Sequence, residues 1–215
     1  VYTDTVITGW GRKGNEIKET YTDPNDVTQA YAIGKAYDGG QFAELNCQAY
    51  GALYQDVLTV PGATLNWSLA HAGRDGTDTM ALLIAPVDVA QDITGALKNK
   101  TTRAAIQEAL NGSITVNGVN VPIRNYIVDG NISDGCTAWG VHNGTYTVPA
   151  GQYVSRFFFV AVASASGDSE EGLKRGNLID RVWFSTDPVP PAAGSGILRV
   201  TKTLLKTDGT ALTDA

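Results

Sequence analysis

The sequence predicts an all-β fold, a two-sheet sandwich interrupted by a short helix-and-hairpin insertion. Three observations lead there. Apolar and polar residues alternate along many short segments, the period of two that a half-buried strand requires. The 24 Gly and 8 Pro gather in turn-forming clusters between those segments. Helical spacing is read over residues 103–110, between a capping threonine and an Asn-Gly stop.

The elements follow in order. Ile7 to Trp10 and Glu16 to Tyr21 read as strands joined through Lys13-Gly14-Asn15. A loop at residues 22–26 and a turn at Asp38-Gly39-Gly40 precede Gln41 to Cys47, where Ala43, Leu45 and Cys47 form the small apolar set expected to face the core. Gly51 to Val60 is the next strand. From Thr64 to His71, Leu65, Trp67, Leu69 and His71 lie on one side and Asn66, Ser68 and Ala70 on the other. A polar turn carrying Arg74, Asp75 and Asp78 leads to a second apolar strand, Thr79 to Ile84.

Residues 87–131 break the pattern. Thr101 or Thr102 caps a helix whose Ala105, Ile106, Ala109 and Leu110 share a face. Ile114 to Val116, Asn117-Gly118 and Val119 to Val121 form a hairpin with a type I′ turn. The β pattern resumes at Ala138 with a strand or strands from Trp139 to Val148. Ser155 to Ala163 is nearly continuous in apolar residues and fits a central strand, and Asn177 to Ser185 is the last strand of the sandwich. Residues 187–196 are a Pro/Gly linker, and 197–215 begin a fresh strand.

Bulk properties exclude several functions. The net charge is −6, from 22 acidic and 16 basic residues with no basic cluster, which argues against a nucleic-acid partner. No apolar run approaches the ~18 residues of a membrane-spanning helix, so membrane insertion is not expected. The opening VYTDTVITGW lacks a leader pattern, so either a leader has been removed or the chain begins inside a longer protein. Cys47 and Cys136 fit no zinc spacing; they form one long-range disulfide or remain two buried thiols.

Long, ordered motifs carry a resemblance over about residues 5–186. They are Gly40-Gln41-Phe42-Ala43-Glu44-Leu45-Asn46, Leu53-Tyr54-Gln55-Asp56-Val57, Trp67, His71-Ala72-Gly73-Arg74, Asp78-Thr79-Met80-Ala81, Tyr146 to Gln152, and Gly176 to Asp180. Together they resemble the jelly-roll, carbohydrate-binding-module-like domains of Gram-positive surface adhesins. Cys47 stands where that family usually has Ala, and Ala72 where a basic residue is common. The tail, Gly196 to Thr203 with Thr207-Asp208-Gly209, resembles the first strand of a collagen-adhesin B-type (SpaA-like pilin) repeat. In those repeats a lysine matching Lys202 forms an isopeptide bond, and its partners would lie beyond Ala215. The resemblance implies a secreted, cell-wall-anchored protein, monomeric within a larger multidomain chain.

No catalytic motif is present: no G-x-S-x-G, H-E-x-x-H, P-loop or C-x-x-C. Binding without turnover is therefore expected. Sugar rings need flat aromatic faces and bidentate polar groups, and the ligand-binding candidates are Tyr31, Tyr37, His71, Arg74, Asp78 and Trp139. Trp67, between Leu65 and Leu69 on its strand face, is expected in the core. Asp180 falls on the apolar-facing set of its strand, where a carboxylate must be paired, hydrogen-bonded or metal-bound. A structural Ca²⁺ with Asp180 as ligand, and Glu44 or Asp4 as seconds, is one expectation; pairing with Arg156 or Arg181 is the other. The expected partner is a host or environmental glycan. A host surface protein, such as matrix protein or immunoglobulin, is the alternative, as is a structural spacer with no ligand.

Overall fold

The computed structural model describes residues 11–12, 31–40, 42–46 and 49–186. The strands expected at residues 7–10 and 16–21, with Asp4, Cys47, the 187–196 linker and the segment carrying Lys202, lie outside the described residues. The described elements are β1 (Gly11–Arg12), β2 (Ala43–Glu44), β3 (Ala52–Leu58), β4 (Thr64–Ala72), β5 (Asp78–Pro86), α1 (Val87–Leu97), α2 (Arg103–Asn111), β6 (Ser113–Val116), β7 (Val119–Pro122), β8 (Ile127–Asp134), β9 (Gly140–Thr147), β10 (Val154–Ala163) and β11 (Leu178–Ser185). They form the expected β-sandwich: a five-stranded sheet in the order β1-β3-β10-β5-β8 and a four-stranded sheet in the order β2-β11-β4-β9. Every pairing is antiparallel.

β10 is central, and its apolar continuity follows from burial on both faces. Phe157 faces the four-stranded sheet, stacking on Phe184 with ring centroids 4.2 Å apart. Its neighbour Arg156 faces the insertion, donating from Nη1 to Thr94 Oγ1 of α1 at 3.1 Å. The same Arg156 forks onto Asp56 at 2.6 and 2.8 Å and lies over the Tyr54 ring, so its partner is Asp56 rather than Asp180.

The insertion lies between β5 and β8, which pair with each other, and its helices cover the outer face of the five-stranded sheet. α2 starts as expected: Thr102 Oγ1 accepts from the Ala105 N–H at 3.3 Å, and Ile106, Ala109 and Leu110 are buried. The β6–β7 turn has Asn117 and Gly118 at φ 50° and 79°, the left-handed pair of a type I′ turn. α1 was not legible in the sequence. Pro86 at its N-cap supplies no side-chain hydrogen bond, and Val87, Val89, Ile93, Thr94 and Gly95 are weak helix formers. Burial of Val89, Ala90, Ile93 and Leu97 stabilises it instead. β8 was also missed, because its pairing with β5 shifts register twice and blurs the alternation.

In residues 42–46 Leu45 and Ala43 face the main core as expected, and Phe42, Glu44 and Asn46 on the other side are buried as well. One expectation about sidedness is corrected. In β11, Asp180 pairs with Ala70 and Trp183 with Ser68, with a register shift between them and Arg181 at φ 44°. This bulge breaks the simple alternation, and Asp180 stands opposite the face of the main core. Ile179 joins the large core, whereas Leu178 and Ala72 join a second, smaller one with Tyr31 and Phe42. The 31–42 segment thus packs on the outer face of the four-stranded sheet.

Candidate functional site

The six ligand-binding candidates converge at one end of the sandwich, where the 31–42 segment meets the β4–β5 turn and the residues before β9. Phe42 is the pivot: its ring centroid lies 5.2 Å from Tyr31 and 5.6 Å from Trp139. Trp139 in turn lies 6.4 Å from Tyr37, the rings inclined at 66°. The segment therefore folds beside the turn that carries Arg74.

Four of the six are internal supports of this corner. Arg74 does not pair its side chain with Asp78 across the turn. Its Nη1 donates to both oxygens of Glu44, at 2.9 and 2.7 Å, and its guanidinium lies 4.6 Å over the Tyr31 ring. Glu44 is fully buried and also accepts from the Tyr31 hydroxyl at 3.2 Å and the Gly176 N–H at 2.8 Å. Asp78, fully buried, accepts three backbone N–H groups: Arg74 at 2.9 Å, Asn177 at 2.9 Å and Ala165 at 2.8 Å. A carboxylate so used latches three loops together.

His71 is the fourth. Its Nδ1 lies 2.8 Å from Asp134 Oδ2 and its Nε2 3.1 Å from Asn177 Oδ1. Asn177 Nδ2 donates to the Ala163 carbonyl, an obligatory acceptor, which fixes the amide with its oxygen toward His71. Both ring nitrogens of His71 thus face oxygen atoms of neighbouring side chains. His142 Nε2 reaches the same Asp134 oxygen at 2.7 Å. Burial pushes the Asp134 carboxyl up, but the hydrogen bonds and charges of His71 and His142 outweigh it and hold it below the ordinary carboxylate range. Sequence reasoning missed this cluster because Asp134 ends β8, a strand with no clean signal.

Tyr37 and Trp139 are half-exposed, as is Arg74, whose guanidinium is engaged by Glu44 and Tyr31. Each of the two aromatics is fixed by a polar group other than its ring face. Trp139 Nε1 donates to the Lys35 carbonyl at 2.9 Å. The backbone N–H groups of Tyr37 and Asp38 donate to Asp180 Oδ2 at 2.8 and 3.0 Å, and Arg181 N–H donates to Oδ1 at 2.6 Å. Burial raises the Asp180 carboxyl above its ordinary range against the pull of those N–H groups, and the neighbouring Asp38 adds to the rise. The Arg181 guanidinium lies 6.0 Å from the Tyr37 ring and 3.8 Å from Asp38.

Among the metal candidates, Asp180 and Glu44 are thus taken up by hydrogen-bond donors, and no group of three or more His, Cys, Asp or Glu suited to a metal occurs among the described residues. Cys136 is a free, half-buried thiol. Trp67 is 5% exposed and packs against Gly144, its partner on β9, where an added Cβ would come within 2.8 Å of the indole.

No family model matches the chain, and no curated protein matches it significantly. Several solved structures are similar in outline. The CBM22-1 xylan-binding domain of Paenibacillus barcinonensis Xyn10C is 11% identical, with 83% of this chain and 85% of that chain covered and a TM-score of 0.45. The CBM22-1–CBM22-2 tandem of the same protein is 12% identical, covering 83% and 46%, with a TM-score of 0.46. TmCBM61 in complex with β-1,4-galactotriose is 11% identical, covering 83% and 88%, with a TM-score of 0.39.

Proposed function

We propose that the chain is a non-catalytic module that captures glycan on the Tyr37–Trp139 corner. The supporting observation is that these two half-exposed rings are anchored through the indole N–H of Trp139 and the backbone N–H of Tyr37, leaving ring surface for a ligand. Rings fixed in advance lose little conformational freedom on binding. Their faces suit the apolar side of a sugar ring, and Asp38 and Arg181 stand beside them for its hydroxyls. Tyr31, His71, Arg74 and Asp78 act indirectly, by holding the segment and the turn in place.

In this reading the module works as an adhesin on a Gram-positive cell wall, secreted and joined through residues 187–196 to a stalk. Display of many copies on one surface supplies avidity to a weak single site. A glycan array of wild type and the Tyr37→Ala/Trp139→Ala variant tests it. Wild-type signal lost in the variant supports the corner. A silent array with capture of matrix protein or immunoglobulin from host serum favours the protein-binding alternative, and silence in both favours a spacer.

A further inference from the structure

We propose that the opposite end of the sandwich holds a second, separate site that takes a neutral oligosaccharide. Along β9 the corner lies beside Gly140, which pairs with His71, while Tyr146 pairs with Leu65 six residues further on. At strand rise this is about 20 Å away. There the insertion and the 149–152 turn enclose an open cleft of about 620 Å³, lined among others by Asp88, Asn125, Tyr126, Tyr146 and Gln152. That volume lies in the range of small-molecule sites. Tyr126 and Tyr146 are half-buried and supply two aromatic walls.

A closed hydrogen-bond circuit sets the polarity of the cleft. The Thr59 hydroxyl donates its one proton to the Gln152 carbonyl at 3.0 Å. It therefore accepts from the Ser155 hydroxyl, 2.9 Å away. Ser155, its proton spent, accepts from Gln152 Nε2 at 2.6 Å. This fixes the Gln152 amide with Oε1 toward Tyr146, whose hydroxyl donates to it at 3.1 Å. Thr59, Ser155 and Gln152 are all buried, at 4%, 0% and 3% exposure. The phenol oxygen of Tyr146 is left with lone pairs alone for a ligand. Burial raises the Tyr126 and Tyr146 phenols above their ordinary range, with Asp88 adding to the rise at Tyr126. Asp88 is the one charged residue among those lining the cleft. The cleft thus offers aromatic faces, an acceptor at Tyr146, donors at Asn125 and Tyr126, and a single negative charge. Sugar hydroxyls both donate to and accept from such a wall; a uronic acid meets a carboxylate and no cation.

The test is a ¹H–¹⁵N titration of the full chain with cellohexaose, mannohexaose and hexagalacturonate. A neutral hexaose is expected to shift the amide signals of Asn125, Tyr126, Tyr146 and Gln152, in the wild type and equally in Tyr37→Ala/Trp139→Ala. Tyr126→Ala is expected to weaken that response about tenfold. Tyr146→Phe, which keeps the ring and removes the acceptor, is expected to weaken it as well. Hexagalacturonate is expected to leave the signals in place. The proposal is overturned if neither neutral hexaose moves these signals, if hexagalacturonate moves them as strongly, or if a folded Tyr126→Ala or Tyr146→Phe responds like the wild type. Because the corner is absent from the double variant, its success or failure is read separately.

Discussion

Arg74 Nη1 donates to both carboxylate oxygens of Glu44, at 2.9 and 2.7 Å, inside a site where Glu44 has no solvent exposure. The pair ties the β4–β5 turn to β2 and, through Tyr31, to the start of the 31–42 segment. Removing one partner of a buried pair leaves an uncompensated charge, at a cost of about 3–5 kcal/mol. Arg74→Ala is therefore expected to lower stability by that order in urea denaturation, while Arg74→Met/Glu44→Leu is expected to recover much of the loss. Equal instability of the two variants would argue against the pair.

The Asp134 carboxylate gives the corner a pH dependence. Its folded pKa lies below its unfolded value, so its stabilisation is full above the ordinary carboxylate range, near about 3.9, and is lost as pH falls through the lower folded value. Asp134→Asn is expected to destabilise the protein by about 1–3 kcal/mol at neutral pH and to make its unfolding less sensitive to acid. Acid titration of the melting temperature for both proteins checks this.

The strands were legible because their signals are local. Ala52–Leu58, Thr64–Ala72, Val154–Ala163 and Leu178–Ser185 each fall within about two residues of their sequence-based bounds, and α2 announced itself through Thr102 and Asn111. α1 and β8 were not legible, since tertiary burial holds one and irregular pairing with β5 the other. The corner was half-legible. Residue types marked which side chains gather there, but which of them turn inward depends on partners distant in sequence. Arg74 meets Glu44 thirty residues away, and His71 meets Asp134 at sixty-three. The second cleft was not legible as a site, because its two aromatics, Tyr126 and Tyr146, come from segments on either side of β8.

Asp180 bears on calcium. Its carboxylate oxygens accept N–H groups from Tyr37, Asp38 and Arg181, which take three of its roughly four acceptor positions and compete with a cation for them. Millimolar calcium or chelator is expected to leave the melting temperature unchanged. A rise with calcium that Asp180→Asn abolishes would restore a metal role for this residue.

Thr102 tests whether the insertion depends on its own helix signals. Thr102→Ala removes the acceptor for the Ala105 N–H and is expected to cost about 1 kcal/mol, measured by thermal melting, with binding at the corner unaltered.

The corner itself is tested most directly by the indole signal of Trp139. The chain's four tryptophans give four indole N–H resonances, and Trp139→Phe assigns the one that donates to Lys35. Titration with the glycan giving the strongest array signal is expected to move that resonance in the wild type, with the response lost in Tyr37→Ala. A glycan whose binding is lost in Tyr37→Ala/Trp139→Ala, yet which leaves the Trp139 resonance in place in the wild type, would contradict capture at this corner.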